Sequence, residues 1–369
     1  MSLTIEQQDL RDAVRGLLGS AGATAGATAG DSAWPRLCGE VGVAGLGIPE
    51  RYGGTGGGAA EVGVVMEELG RELVPSPMLG STVLAAQALL GSGDVAACGR
   101  LLPGITGGSA TAALAWATRA GRWDGGAAGC VCREDGELDG AGGVVLDGEA
   151  HYVLDGAAAG VLLVAAREAA GVGLFEVDPG QDGVSRTASV TMDQGRPLAV
   201  VRLAGVRGRR IGGDAARTLD RARDLACLAL AAEQAGAARR ALELTVSYTL
   251  TRVQFGRVIG GFQALQHRLA DLHVLVESAT SLARAAAAEE GPGLGLRAAA
   301  AKVYCCEAAM RAAGEMIQLH GAIGITWEHP AHRYLKRAHG ALQLFGGSAW
   351  HTAVIAASLI HDAHRDAVS

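Results

Sequence analysis

Two stretches of this chain carry side chains suited to gripping a large, flat, anionic ligand. In the first, Tyr248–Asp271 (YTLTRVQFGRVIGGFQALQHRLAD), Arg252, Gln254, Phe255 and Gly256 fall together in a short turn. An arginine at a bend can fork onto a phosphate or carboxylate. Phe255 can stack on a flat ring, and the glycines let a ligand or another backbone come close. A capped turn with its arginine in water explains the same residues, and spacing alone does not choose. In the second stretch, residues 318–338 (QLHGAIGITWEHPAHRYLKRA), Gln318, His320, Gly321, Ala322 and Gly324 lie where a helical pattern gives way to a loop. Backbone amides freed by glycine can approach a diphosphate, although many such loops only turn.

These residues need elements to position them. A helix ends near Tyr248 and another begins near Phe262, whose apolar positions Phe262, Leu265, Leu269, Leu272, Val276 and Ala279 step by three and four. The spacing predicts a helix–turn–helix hairpin with Arg252 and Phe255 at its bend. Upstream, residues 1 to about 105 read as helical, with Val62–Leu73 ending at Pro75 and Pro77. Near residue 106 the texture changes to short apolar runs: Ala110–Trp116, Gly129–Cys132, Gly143–Leu146, His151–Leu154, Val161–Ala166, Val172–Val177 and Leu198–Leu203. From Asp214 helices return, with breaks at Gly291–Gly293 and before Pro330. The expectation is an α+β chain of three domains: a helical domain at 1–105, a small β-barrel or sandwich at 106–210, and a four-helix bundle at 211–369.

Composition sets the outer bounds. At 369 residues, two or three domains are expected, and 49% hydrophobic residues suffice for their cores. Aromatics are only 4%, so close helix contacts through glycine and alanine are expected. A net charge of −6 without a basic stripe argues against nucleic acid as a partner. The seven cysteines have no metal-like spacing and read as thiols in a reducing compartment, with no metal. Met1–Leu18 reads as an amphipathic helix rather than a leader, and no apolar run is long enough to span a bilayer. A cytoplasmic protein is the expectation.

The R-x-x-F-G turn at Arg252–Gly256 and the F-Q-x-x-x-x-x-L-A-D helix at Phe262–Asp271 resemble the acyl-CoA dehydrogenase family. The segments GLGIPERYGG…EELGREL and GEAHYVLDGAAAGVLLVAAR resemble that family's N-terminal and middle domains, so the likeness covers almost the whole chain. It implies an FAD-dependent oxidoreductase that dehydrogenates an acyl-CoA thioester at its α and β carbons. It also implies an electron-transfer flavoprotein or similar acceptor, and a homo- or hetero-oligomer built as a dimer of dimers. In the family the arginine turn reaches the FAD of a neighbouring subunit. The carry-over puts Gln318, Gly321, Ala322 and Gly324 near the FAD diphosphate and adenosine, with Ala322 replacing a glycine. Together with Arg252, Phe255 and Gln263 they form the half of a flavin site that one subunit lends to another. Arg333 is expected in an ion pair with Glu328.

The half that would receive a flavin departs from the family. Against the pattern T-E-P-x-x-G-S-D stands WATRAGRWDGG (116–126), which keeps Thr118 but has Arg119 where an acid is usual and no serine. Against W-I-T-N stand Tyr152, Val153, Leu154 and Asp155, so the aromatic is kept in kind and the threonine hydroxyl is lost. The reaction needs a carboxylate to take the α-proton. Against Y-E-G-T stands LFGGSAW, with Gly346 read in the glutamate position. The family's alternative slot, early in the helix after Asp214, falls on Ala226. Asp224 lies two residues earlier, about 200° round a helix, and Glu233 two turns later; both are weak candidates. His267, His320 and His351 read as structural. Three functions follow from the resemblance: a dehydrogenase with an unusual base, a non-catalytic subunit lending residues to a partner's flavin, or a flavin-dependent oxidase or monooxygenase on the same fold. Heteromeric members with divided labour occur in the family, among bacterial degraders of bulky acyl-CoAs such as steroid side chains. A kept lending half beside an eroded receiving half favours the second reading.

Overall fold

The computed structural model describes residues 2–20, 33–134, 144–289 and 291–368. The first residue of the strand expected at Gly143–Leu146 lies outside them. Helices come first, then strands, then helices, in the order the sequence implies. By its contacts the chain divides into two compact units: residues 34–62 with 76–226, and residues 1–33 with 63–75 and 227–369.

In the first unit, α2 (Trp34–Arg36) and α3 (Ala59–Glu72, which runs on into the second unit) precede a fully buried π-helix, Met78–Ala85. The π-helix continues into α4 (Ala86–Gly91), and α5 (Val95–Thr106) follows, capped by Asp94 accepting from the Ala97 amide at 2.9 Å. Seven strands then form the sheet: β1 (Ala112–Ala115), β2 (Cys130–Glu134), β3 (Val144–Leu154), β4 (Val161–Glu168), β5 (Gly171–Val177), β6 (Val184–Ala188) and β7 (Leu198–Asp214). The order β1-β4-β2-β3-β7-β5, with β5 also pairing β4, closes a small barrel, and β6 pairs β7 at its margin. Its core is aliphatic, from Leu146, Leu162, Val164, Val201 and Val206, with Phe175 as the one large ring.

The sequence suggests two strands where β3 is one. Its register shifts past Gly148, whose φ of +126° and close approach to the Gly129 carbonyl admit no side chain. β7 runs well past the expected Leu203 because it pairs in turn with β3, β6 and β5.

The second unit is helical: α1 (Ile5–Ser20), most of α3, and α6 (Ala216–Thr251) from Cys227 onward. It also holds α7 (Gln263–Ala288), α8 (Leu294–His320), α9 (Ala331–Gln343) and α10 (Ser348–Val368). Small residues such as Ala237, Ala241, Ala309 and Ala312 let these helices approach closely. A Cβ at Gly236 would lie 1.9 Å from the Glu67 carbonyl oxygen, so α3 and α6 touch backbone to backbone. Arginines from α1 and α7 also pair with α3 carboxylates, Arg15 with Glu68 at 2.6 Å and Arg284 with Glu67 at 2.8 Å. Among the described residues no helix is long and apolar enough to cross a membrane, and all seven cysteines are free thiols.

Candidate functional site

The bend between α6 and α7 is a tight β-hairpin. β8 (Val253–Gln254) and β9 (Arg257–Val258) pair across the two-residue turn Phe255–Gly256. Both turn residues have positive φ, +53° and +79°. Such a turn matches strand twist but strains any residue except glycine, asparagine or aspartate at its first position. Phe255 accepts that strain while 90% exposed. Its ring meets Phe262 edge-on at 6.2 Å, and the Arg257 guanidinium sits 4.0 Å from the Phe262 centroid. Arg252 is exposed, and its backbone is fixed by bonds to Tyr248 and Ile259.

The second stretch meets this hairpin at its base. The Tyr248 ring stacks on His320 at 4.3 Å and 25°, and the Tyr248 hydroxyl donates to the His320 carbonyl at 3.5 Å. Beyond His320, Gly321 (φ +64°) breaks α8 into the 3-10 turn Gly321–Ile325. Gln318, Gly321 and Ala322 are exposed, while Gly324 is buried against Ile317 and His320. Among the described residues the side chains of Arg252, Gln263 and Gln318 make no hydrogen bond or ion pair. The two stretches therefore form one surface on which Arg252, Gln263 and Gln318 are exposed. Arg333 does not pair with Glu328 as expected. It lies 6.0 Å from the Trp327 ring, with Lys336 closer at 4.6 Å, because that exposed indole offers the cations a face.

Thr118 and Tyr152 lie in the β unit, where Tyr152 is 39% exposed at a φ of +55° and Thr118 is partly buried. The Trp123 indole is buried, edge-on to Trp116 at 5.7 Å and tilted over Tyr152 at 6.2 Å. The Tyr152 hydroxyl donates to the Arg119 carbonyl at 3.1 Å, and the Thr118 hydroxyl accepts from the Arg122 amide at 3.3 Å within its own turn. The loop is tied down from α6. Asp220 accepts from the Gly125 amide at 2.8 Å and from Arg223 at 2.7 Å, and Arg223 reaches the Trp123 carbonyl at 3.5 Å. Leu154 and Asp155 abut the π-helix: a Cβ at Gly80 would lie 2.7 Å from an Asp155 carboxyl oxygen. Burial there pushes the Asp155 carboxyl up to about 7, against the pull of Arg196.

The turn read against Y-E-G-T is closed. Phe345 and Gly346 have φ of +60° and +104°. A Cβ at Gly346 would lie 2.9 Å from the Trp350 ring and 3.3 Å from His351 Nε2. Setting the motif's glycine on Gly346 instead puts Phe345 in the carboxylate slot, and that ring is completely buried. In neither register does the slot carry a base. Lys302, 1% exposed, donates from beneath to the carbonyls of Gly346 at 3.0 Å and Leu342 at 3.3 Å, so a cation caps the C-terminal end of α9. The His351 ring nitrogen Nε2 lies 3.1 Å from the Phe345 carbonyl and 4.0 Å from the Cys227 thiol.

The two weak carboxylate candidates are engaged elsewhere. Asp224 pairs with Arg223 at 2.8 Å, and burial raises its carboxyl above the usual range. Glu233 is buried against Arg337 at 2.9 Å and accepts from Gln234 at 3.1 Å. Ala226 is fully buried, and His267 is exposed on α7. Sequence reasoning passed over Lys302 and Trp123. Lys302 had a signal: it falls on the stripe Ala298, Cys305, Ala309, Ala312 and Met316 that α8 buries. The packing of Trp123 had none, since it depends on Tyr152 and Arg223.

Residues 4–109 match the model "Acyl-CoA dehydrogenase, N-terminal domain", and residues 213–360 match "Acyl-CoA dehydrogenase, C-terminal domain". The acyl-CoA dehydrogenase IpdE2 of Mycobacterium tuberculosis is 38% identical over 347 residues, 92% of each chain. The chain belongs to the acyl-CoA dehydrogenase family. Among solved structures, the Tcur3481-Tcur3483 steroid ACAD (a G363A variant) superposes with a TM-score of 0.84 at 30% identity, over 97% of this chain and 99% of that one. The ChsE4-ChsE5 complex of Mycobacterium tuberculosis gives 0.83 at 28%, over 97% and 98%.

This acyl-CoA dehydrogenase is therefore an oxidoreductase of a family whose members depend on FAD. Its residues fit that cofactor unequally. The exposed, unpartnered groups on the hairpin and the 318–324 loop suit a phosphorylated, flat ligand. The β unit has Leu154 where the family has a threonine hydroxyl and Arg119 where an acid is usual, so it offers an isoalloxazine ring fewer side-chain donors.

Proposed function

We propose that this chain serves α,β-dehydrogenation of an acyl-CoA thioester as the lending subunit of a heteromeric acyl-CoA dehydrogenase. The observation that carries this reading is Phe255: a strained, 90% exposed aromatic beside an exposed arginine, in a chain with no carboxylate in either base slot. Bound FAD would supply the acceptor for the hydride leaving the β carbon of the thioester, and this chain's residues would help to hold it. Arg252 supplies a fork for phosphate oxygens, and Phe255 a face for a flat ring. The amides at Gly321 and Ala322 and the side chains of Gln263 and Gln318 supply further donors. The base that takes the α-proton comes from the partner subunit, since no free carboxylate occupies either slot here. The steroid ACAD among the structural neighbours supports a bulky, steroid-derived acyl group, and the paired names Tcur3481-Tcur3483 and ChsE4-ChsE5 support a partner chain of different sequence. Reoxidation by an electron-transfer flavoprotein fits the same reading.

The test is Arg252→Ala in the purified complex with its dehydrogenase partner. Losing charge-assisted bonds worth about 1.5–3 kcal/mol should weaken flavin retention about ten- to hundredfold. The thermal transition of the isolated chain should not move, because the Arg252 side chain is exposed. Full flavin retention by the variant complex would refute the lending role.

A further inference from the structure

Three of the chain's ten histidines crowd the 321–330 loop. His320 closes α8, buried, with its ring against Tyr248 on one side and His329 at 4.2 Å on the other. Its Nδ1–H donates to the Met316 carbonyl at 2.8 Å. His329 Nδ1 accepts from the Ala331 amide at 3.3 Å, at the first residue of α9. That nitrogen must be unprotonated, because an imidazolium has no acceptor to offer. His332, one residue further into α9, lies edge-on to Trp327 at 4.6 Å, and its Nε2 is buried without a hydrogen-bond partner.

We propose that the 321–330 loop keeps this shape only while His320, His329 and His332 are all uncharged, which makes it a pH-sensitive element. Each ring meets its own obstacle to protonation. A charge on His320 or His329 would face the other ring at 4.2 Å. A proton on His329 Nδ1 would break the bond that opens α9. A charge on His329 or His332 would sit at the positive end of the α9 dipole. The charged and titratable groups that face the cluster are Tyr248 from α6 and Arg333 and Lys336 from α9. Among the described residues no carboxylate lies within ion-pair distance of any of the three rings. Burial lowers all three imidazoles below their ordinary value, helped at His329 by the other two rings and at His332 by Lys336 and Arg333. A lowered folded-state value means that the loop's stability is complete above an unfolded value of about 6.5 and is lost as pH falls below it. If the loop lends donors to a partner's flavin, as proposed above, the same acidification releases that flavin.

The test uses the full chain alone, so that it does not depend on the lending role. Amide hydrogen exchange over residues 318–332 is followed from pH 7.5 to 5.0, corrected for intrinsic rates, with histidine ring resonances recorded in parallel. Exchange should rise severalfold as pH falls below about 6.5, while the 252–258 hairpin stays unchanged. In the variant combining His320→Phe with His329→Asn, which keeps an aromatic in the stack and an acceptor for the Ala331 amide, the rise should shrink or vanish. Flat exchange in the natural chain, or an undiminished rise in the variant, would overturn the inference. A loop that opens in the chain while the complex keeps its flavin at pH 5.0 would sustain the inference and count against the lending role.

Discussion

Two turns in this chain are built from the same pair of residues. Phe255–Gly256 and Phe345–Gly346 each place a phenylalanine and a glycine in succession at positive φ, +53° and +79° in one, +60° and +104° in the other. At Phe255 the ring is turned out, 90% exposed, and a Cβ on Gly256 would meet nothing within 4 Å. At Phe345 the ring is turned in and buried, Gly346 is walled by Trp350 and His351, and Lys302 holds the carbonyl from below. Backbone strain of about 1–3 kcal/mol persists only where the surroundings impose it. At the inward turn those surroundings are visible within the chain. At the outward turn they are a short hairpin and an unfilled face, which is what a surface completed by another molecule looks like.

Paired substitutions can break this contrast. Gly346→Ala should cost about 2–4 kcal/mol, from the positive φ and the overlap with Trp350, and should lower the thermal transition of the chain clearly. Gly256→Ala carries only the backbone penalty, about 1 kcal/mol. Equal costs at the two glycines, read from thermal or denaturant unfolding, would remove the distinction between a packed turn and an open one. A smaller effect of opposite sign is expected from Phe255→Asn. Asparagine tolerates positive φ, so the chain should gain up to about 1 kcal/mol in unfolding experiments. The complex with the partner should meanwhile lose flavin. A variant that is stabilised and still retains flavin fully would show that the phenylalanine has another purpose.

Much of this was legible in the residues. The helix steps from Phe262 onward, the glycine break after His320 and the strand texture after residue 106 each rest on local periodicity, and the elements followed. β6 was not legible because VSRTA at 184–188 is mostly exposed and lacks an alternating apolar face. At the candidate site the sequence shows absences: no carboxylate in LFGGSAW, no hydroxyl at Leu154. What surrounds those places was not legible, because it arises from contacts far apart in the chain. Trp123 is buried against Tyr152, Lys302 reaches Gly346, and Glu233 finds Arg337, none of which a motif can encode. Arg223 beside Asp224 is the exception, because that ion pair joins neighbours in the sequence.

The most direct measurement of the lending role is flavin content per polypeptide. The chain is purified alone and in complex with its dehydrogenase partner, and flavin absorbance is set against protein concentration. The account predicts no bound flavin in the chain alone and one flavin per two chains in the complex. One flavin per chain, held by the isolated protein and turning over acyl-CoA without a partner, would contradict it.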